Sequence, residues 1–379
     1  MRSSLPRLCW LGVPALALLT ACGGGGDPAP AATEAPVATP SGADGAVTEP
    51  LMADGQPAPL VETAVPEAAP STVAAAAAPA TDASLGDAQR AAAAAATAQS
   101  STNACAAIRP FYWEIGSRSA RQAAGSVTAG SSSVGATTPL AIASASKWLY
   151  GTYVAQRQNG VLSDSDRKYL SMRSGYTTFG TCSKGQTVDQ CVASGSNGTY
   201  TASMDGRFFY GGGHMEKHAS LAGLGAMNNA GLAAELRNQL GSDLQLSYSQ
   251  PQLAGGVVTS AEQYAKVLRR MLDGTLRMGA LLGTGAVCTN PRACGTQKAV
   301  YAPVPLDTQW HYAVGHWVED DPVSGDGSFS SPGAFGFYPW IDAGNTTYVI
   351  VARVQANGAW PSVRCGQLIR KAWFSGVAL

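Results

Sequence analysis

The sequence predicts a mixed α/β (α+β) fold in which an antiparallel sheet is built from both ends of the folded region. Three observations predict it: strand-like runs at residues 111–130, helix patterns in the middle, and strand-like runs again after residue 312. A sheet that pairs the two ends would have flanking helices and a helical subdomain between its halves. No period of 20–50 residues recurs, which argues against a repeat fold.

Strands are predicted wherever short apolar runs are rich in aromatic and β-branched residues. The last of these runs is nearly continuous in Val, Ile and Ala, which is typical of a central strand. The pattern predicts strands over residues 111–115, 125–130, 312–318, 329–337 and 347–355.

Helices are predicted from apolar spacing together with start and stop signals. Thr259-x-x-Glu262 has the spacing of a capping box, and Gly274 would end the helix that follows. Asn159-Gly160 would end an earlier helix, whose apolar residues lie on several faces and should be largely buried. These signals predict one helix that ends near residue 158 and others over 214–227, 259–273 and 363–374.

The N-terminus has the features of an export signal. Arg2 and Arg7 precede an apolar run over residues 8–19, which is too short for a stable membrane span. The run closes with Leu-Thr-Ala-Cys, ending at Cys22, and this sequence resembles the bacterial lipobox. We therefore expect residues 1–21 to be a lipoprotein signal peptide and Cys22 to be the lipidated residue; an ordinary signal peptide is the alternative. The lipobox implies a bacterial cell-envelope protein, lipid-anchored and facing the periplasm or the outside.

Composition separates a tether from a folded domain. Residues 22–102 consist almost entirely of Ala, Pro, Gly, Thr, Ser and scattered acids, which offer little apolar surface to bury. The alanine run at 91–96 has no amphipathic face, so we expect only transient helix there. Residues 103–379 are rich in Trp, Tyr, Leu and Val and are predicted to form one domain.

Six cysteines lie in the predicted domain, and an even number in an exported chain favours disulfides. Fifteen pairings of six cysteines exist, so the sequence leaves the connectivity open. The two local pairs are the natural choice, and they leave the two cysteines at the ends of the domain for each other: Cys182–Cys191, Cys288–Cys294 and Cys105–Cys365.

No metal and no cofactor are predicted. The cysteines lack the spacing of zinc ligands. His214 and His218 are four residues apart, but their order, His-Met-Glu-Lys-His, differs from the H-E-x-x-H pattern of helical zinc pairs. The chain carries 25 basic and 25 acidic residues without a basic stripe, so a nucleic-acid partner is not predicted either.

Ser144 and Lys147 form the strongest candidate for chemistry. A serine hydroxyl becomes an effective nucleophile only when a neighbouring group takes its proton. Three residues apart on a helix, the two side chains would share one face, and Ser144 would lie in the first turn near free backbone N–H groups. Flanked by Ile142 and Trp148, the lysine would lose hydration, which favours its uncharged, proton-accepting form. Alone, S-x-x-K is a weak signal that arises by chance in many chains.

Further motifs in order give the sequence a family resemblance. The segment 139–147, PLAIASASK, resembles the nucleophile segment of serine β-lactamases and penicillin-binding proteins, and in particular the class C β-lactamase branch with its esterases and D-amino-peptide hydrolases. Five later segments resemble that branch's other motifs in the same order: 170–176 (LSMRSGY), 208–212 (FFYGG), 255–262 (GGVVTSAE), 312–317 (YAVGHW) and 331–336 (SPGAFG). The resemblance covers residues 111–374 and implies a β-lactamase/transpeptidase-like fold.

The resemblance also implies catalytic roles. Ser144 would attack a carbonyl and form an acyl-enzyme, while Lys147 and Tyr210 would share the proton transfers, with the Tyr210 phenol hydrogen-bonded to both. The backbone N–H groups of Ser144 and Ala334 would form the oxyanion hole. A purely structural aromatic is the alternative for Tyr210.

Four further residues are predicted to contact substrate: Gly212, His214, Ser331 and Gly333. Two of these positions depart from the family. Gly212 stands where the branch has an Asn that binds substrate amides, and Ser331 where it has a Lys or His that faces a carboxylate. Without that cation, an ester or neutral amide is favoured over an anionic β-lactam. His214 could replace the lost contacts, with helix capping as its alternative role.

The sequence thus predicts a serine hydrolase that acts on an ester or amide. The alternatives are a D-Ala carboxypeptidase or β-lactamase, and a non-catalytic binding lipoprotein of the same fold. Expected partners are a small-molecule or peptide-like substrate and, through the lipid anchor, a membrane. The oligomeric state stays open.

Overall fold

The structure is a computed structural model that describes residues 85–379 of the 379-residue chain. The predicted signal peptide, Cys22 and most of the predicted tether lie outside the described residues. Within them, no helix is long and apolar enough to cross a membrane.

Helices occupy the start, the middle and the end of the described region. In chain order they are α1 (Asp87–Gln99), α2 (Ser146–Arg157), α3 (Asp164–Leu170), α4 (Val188–Val192), α5 (Gly213–Ala219), α6 (Asn229–Leu240), α7 (Ala261–Leu272), α8 (Pro291–Cys294) and α9 (Ala359–Ser375).

Strands cluster before α2 and after α7. They are β1 (Phe111–Ser117), β2 (Arg121–Val127), β3 (Leu140–Ala141), β4 (Phe208–Phe209), β5 (Leu246–Tyr248), β6 (Val257–Thr259), β7 (Val287–Cys288), β8 (Ala299–Tyr301), β9 (His311–Tyr312), β10 (Trp317–Glu319), β11 (Ser328–Ser330), β12 (Tyr338–Ile341) and β13 (Thr347–Ala352).

An eight-stranded antiparallel sheet joins the two ends of the folded region, in the order β2-β1-β13-β12-β11-β10-β9-β7. β1 and β13 pair over six residues, with Trp113 opposite Val351. All of β13 is buried because α9 packs near Val351 on one face while Arg269 of α7 reaches Tyr348 on the other. The predicted fold class, with its sheet from both chain ends and its helical middle, is confirmed.

The predicted tether is wrong at its C-terminal end, because α1 belongs to the folded domain. Ala94 and Ala98 are fully buried where α1 contacts α9. Arg90 donates hydrogen bonds of 3.3 and 3.2 Å to the carbonyl oxygens of Trp373 and Phe374, in the last turn of α9. Alanine methyl groups form this interface, so the helix needs no stripe of large apolar residues.

Two predicted long strands are each broken by a turn. The segment 312–318 is instead the end of β9, a turn and the start of β10, since Gly315 adopts a φ of 75°. The segment 329–337 leaves the sheet after Ser330 and returns at Tyr338. Both breaks bring backbone to the N-terminal end of α2.

The predicted helices occur where the sequence places them, but they begin or end at different residues. The residue that caps α7 is Ser260, whose hydroxyl accepts from the N–H of Gln263, while Thr259 ends β6. α5 is followed by a π-helical turn over Ser220–Leu224, in which Gly223 has a φ of 86°. The predicted final helix lies within α9.

The three predicted disulfides are confirmed: Cys105–Cys365, Cys182–Cys191 and Cys288–Cys294. The first joins the segment before β1 to α9, so it closes the domain beside its central strands.

Candidate active site

Ser144 lies on a 3₁₀ turn, Ala143–Ala145, between β3 and the start of α2. The turn is anchored on its β6 side, where the N–H of Ile142 donates to Val257 O (3.1 Å). From α7, the hydroxyl of Tyr264 donates to Ala145 O (3.0 Å). Ala143 has a φ of 45°, an uncommon value for a residue with a Cβ atom. Such strain concentrates at functional sites and persists only when the surroundings enforce it.

Lys147 directs its ammonium group at the serine. Its Nζ lies 2.9 Å from Ser144 Oγ and 3.1 Å from Ala254 O, and the residue is only 2% exposed. Burial surrounds the lysine side chain with protein, and Ser144 and Ala254 supply its hydrogen-bond partners. The sequence-predicted pair is therefore in direct hydrogen-bond contact.

Tyr210 completes the cluster through its ring. Lys147 Nζ lies 4.6 Å from the ring centroid, a cation–π contact, and the ring stacks on Trp317 at 5.2 Å. Within residues 85–379 no hydrogen bond joins the Tyr210 hydroxyl to Ser144 or Lys147, which differs from the predicted arrangement. Catalytic hydrogen bonds are often long without substrate and tighten when it binds.

The segment between β11 and β12 runs beside the nucleophile turn. A Cβ atom at Gly333 would overlap the carbonyl oxygen of Ile142, so only glycine allows this approach. Next along the chain, Ala334 is half-buried. In the described part of the chain, the N–H groups of Ser144 and Ala334 donate to no protein acceptor. This geometry is compatible with an oxyanion hole formed by these two groups, which stays a prediction.

Ser331 and Gly333, which were predicted to contact substrate, lie against the nucleophile turn. Ser331 is 1% exposed, and its hydroxyl donates to the carbonyl oxygen of Ser144 (3.1 Å). Gly333 is buried against Ile142 and donates its N–H to Phe337 O (2.8 Å). Both residues thus position the nucleophile turn rather than face a ligand.

Gly212 lies beneath an aromatic ring. A Cβ atom there would be 2.9 Å from Cδ1 of Phe179 and 3.6 Å from Cβ of Ala254. The half-buried Phe179 therefore occupies the space that a side chain at position 212 would need, and it gives this part of the site an apolar wall. Gly212 itself is buried and offers no side-chain atom to a substrate, contrary to the prediction.

His214 is also a positioning residue, not a substrate ligand. It is fully buried, and its Nδ1 accepts from Ser174 Oγ (2.7 Å) and from the Ser174 N–H (3.2 Å). Nε2 lies 3.0 Å from Phe209 O and donates to it. Burial lowers the pKa of His214 to about 4, so the ring is neutral, and it joins the segment around Ser174 to β4.

Glu216 is a site residue whose role the sequence did not reveal. It is 1% exposed, and its Oε1 accepts from the N–H of Ala254 (2.9 Å), the residue whose carbonyl contacts Lys147. Burial raises the pKa of Glu216 to about 7, although its hydrogen bonds and the Lys147 charge act in the opposite direction. The sequence offered one signal, an acidic residue six positions after Tyr210. We considered Glu216 only in relation to a zinc site.

Metal binding has no obvious place here. Among residues 85–379 no three His, Cys, Asp or Glu side chains gather as a metal site would require. His218 contacts Tyr150 (2.7 Å) and Asp166 (2.9 Å), whereas His214 contacts Ser174 and Phe209.

Comparisons with known proteins give the fold independent support. No family model and no curated protein sequence matches the chain. Among the solved structures that resemble it are three with TM-scores between 0.51 and 0.55. EstCE1, described as a hydrolase with promiscuous acyltransferase activity, is 13% identical over 76% of this chain and 99% of its own, with a TM-score of 0.55. SurE, solved with D-Leu, is 12% identical over 78% of both chains, with a TM-score of 0.54. A provisionally assigned β-lactamase from Bacteroides dorei DSM 17855 is 18% identical over 69% of this chain and 92% of its own, with a TM-score of 0.51.

The likeness covers nearly the full length of two of these structures, and its identity is too low to carry more than the fold. The chain has the fold of the serine β-lactamases and the penicillin-binding-protein-like hydrolases.

Proposed function

We propose that the protein is a serine hydrolase that cleaves an ester or amide through an acyl-enzyme at Ser144. The observation that carries this proposal is the 2.9 Å contact between Lys147 Nζ and Ser144 Oγ, made by a lysine that is only 2% exposed. A buried lysine next to a serine hydroxyl is an arrangement that activates a nucleophile.

The proposed reaction has two halves. Lys147, as the free amine, takes the proton from Ser144 Oγ while that oxygen attacks the substrate carbonyl. The resulting oxyanion is stabilised by the N–H groups of Ser144 and Ala334. The tetrahedral intermediate collapses as a proton passes, by way of Lys147 and Tyr210, to the leaving oxygen or nitrogen. Water then attacks the acyl-enzyme with the same groups in reverse, which releases the acid and restores Ser144.

An uncharged substrate with an apolar portion fits the site best. Position 331 supplies a serine, not a cation, and that serine is already hydrogen-bonded to Ser144 O. Position 212 supplies no amide, and the ring of Phe179 covers it. Without a cation at position 331, the site binds a substrate carboxylate weakly. The apolar wall formed by Phe179 would instead contact an acyl chain. We therefore favour esters over β-lactams and peptide C-termini.

The primary test is hydrolysis of p-nitrophenyl butyrate by Ser144→Ala. Loss of the nucleophile should lower kcat/KM by at least about a thousandfold, since only binding and oxyanion stabilisation remain. Ser133→Ala, at an exposed serine, is the matched control and should retain wild-type activity. Full activity in Ser144→Ala would refute the proposal.

Two assays separate the alternatives. Nitrocefin turnover or labelling by a fluorescent penicillin would favour a β-lactamase or carboxypeptidase, whereas ester turnover without either favours the esterase. If a fluorophosphonate probe leaves no adduct on Ser144 by mass spectrometry, the non-catalytic binding lipoprotein becomes the better interpretation.

Envelope anchoring is a separate proposal, supported by the lipobox-like residues that end at Cys22. Metabolic labelling with a clickable palmitate should mark the wild-type protein but not Cys22→Ser. Labelling of both would show that Cys22 is not the lipidated residue.

A further inference from the structure

A chain of contacts connects Glu216 to the reactive lysine. Glu216 lies on α5, and its Oε1 accepts a 2.9 Å hydrogen bond from the N–H of Ala254. The carbonyl oxygen of that same residue accepts from Lys147 Nζ at 3.1 Å. Ala254 belongs to the short connection between β5 and β6, so the carboxyl group fixes the orientation of a backbone segment that has no ladder of its own here.

The charge of Glu216 also acts on Lys147 directly. The carboxyl group is almost completely buried, in a region where charges interact strongly because little water screens them. Its surroundings offer one cation, Lys147 on α2, together with the uncharged hydroxyls of Tyr150 on α2 and Tyr248 on β5. His214, on the same helix, is neutral because burial lowers its pKa to about 4.

A buried carboxyl group is costly unless something in the fold uses it. The backbone N–H groups of Leu253 and Ala254 bind it, and the charge of the proposed general base acts on it. An apolar side chain at this position would leave both N–H groups without their acceptor. The arrangement therefore indicates a role connected with Lys147.

We propose that Glu216 is a positioning residue for Lys147: its carboxyl group holds the Ala254 carbonyl against the lysine. This inference rests on the proposed hydrolase function. Substitution tests the role, because glutamine retains an oxygen that can accept from the Ala254 N–H, whereas aspartate retains the carboxyl group and is too short to reach it.

The test is steady-state hydrolysis of p-nitrophenyl butyrate. In E216D kcat should fall about tenfold while KM changes little, because the lysine is less well held. E216Q should keep kcat within about twofold of the wild-type value, since its amide oxygen can accept the same hydrogen bond. A purely structural residue would lower stability in both variants without this split between kcat and KM.

Glu235→Asp is the matched control. Glu235 is a half-buried carboxylate on α6 that binds the Tyr153 hydroxyl (2.9 Å), and its shortening should leave kcat unchanged. Thermal melting checks that each variant folds; if E216D does not, the kcat-against-KM split of Glu216→Ala, compared with E216Q, decides.

A wild-type kcat in E216D, or an equal loss of kcat in E216Q, would overturn the inference. If Ser144→Ala keeps its activity, the hydrolase proposal fails first. If Ser144→Ala is inactive and E216D behaves as wild type, only the role of Glu216 is wrong.

Discussion

The hydroxyl of Ser331 donates a 3.1 Å hydrogen bond to the backbone carbonyl oxygen of Ser144, 187 residues earlier in the chain. This bond ties the nucleophile turn to the segment that carries Ala334. Ser331→Ala should therefore lower kcat by about fivefold to tenfold with little change in KM, since about 1 kcal/mol of positioning is lost. Steady-state kinetics on a p-nitrophenyl ester measure it.

Ser330→Ala is the control for that substitution. Ser330 is a fully buried neighbour whose hydroxyl finds no hydrogen-bond partner in the described part of the chain. Removing it should leave kcat near the wild-type value. Equal effects at both serines would show that packing, and not the bond to Ser144, matters.

Gly315 allows α2 to approach the sheet. Its φ is 75°, and a Cβ atom there would lie 2.5 Å from the carbonyl oxygen of Lys147. Gly315→Ala should thus combine backbone strain with a clash, and we expect it to destabilise the fold by about 2–4 kcal/mol and to displace Lys147. Urea denaturation and ester turnover should both show the loss.

Gly274→Ala isolates the strain from the clash. Gly274 has a φ of 80°, but no atom lies within 4 Å of the Cβ position. Gly274→Ala should lower the free energy of unfolding by about 1–2 kcal/mol and leave ester turnover intact. A similar loss of activity in both variants would contradict the role assigned to Gly315.

His214 should make the fold sensitive to mild acid. Burial lowers its folded-state pKa to about 4, below the unfolded value of 6.5, so the unfolded chain binds the proton first. Its contribution is complete above pH 6.5 and is lost as the pH falls towards 4, by about 1.4 kcal/mol per pH unit.

A comparison of His214→Gln with the wild type isolates this contribution. The amide can occupy the same hydrogen-bonding position without titrating, so between pH 6.5 and 5 the variant should lose about 2 kcal/mol less than the wild type. His316, whose pKa is also lowered to about 4 by burial, acts equally in both proteins. Between pH 7 and 8 the two stability curves should run parallel; parallel curves at pH 5 as well would show that His214 does not titrate as proposed.

The sheet and the reactive pair could be predicted because their signals are local. The apolar run in β13 and the aromatic run in β1 each indicate a buried strand without knowledge of the partner. Ser144 and Lys147 are three residues apart, so the turn and helix start that contain them bring the two side chains together.

Contacts between distant segments could not be predicted in the same way. The sequence around Gly315 is typical of a strand, and the turn there is explained only by the contact with α2. No motif connects Phe179 with Gly212, although the two are in contact in the fold. His214 resembled a substrate ligand because sequence spacing says nothing of the Ser174 and Phe209 atoms that surround it.

The α1 helix shows the same limit, and it supports a last prediction. Its buried face is made of alanines, and its remaining ties go to the C-terminal end of the chain: Arg90 to the last turn of α9, and Thr97 Oγ1 to the N–H of Leu379 (2.9 Å). A chain that begins at Asn103 should therefore unfold at lower temperature than one that begins at Leu85. We expect the free energy of unfolding to fall by about 2–4 kcal/mol. The loss comes from three buried methyl groups and the Arg90 hydrogen bonds, and the entropy of ordering the helix offsets part of it.

Calorimetry of the two shortened chains measures that loss, and ester turnover at 25 °C tests its locality. α1 contacts α9 and β2, and β2 is the edge strand of the sheet. Because β11 and β12, which flank the segment beside Ser144, lie further along the sheet, kcat should be similar in both chains. Equal melting temperatures would mean that the helix rests on the domain without stabilising it, and the boundary expected from composition would then be the better one.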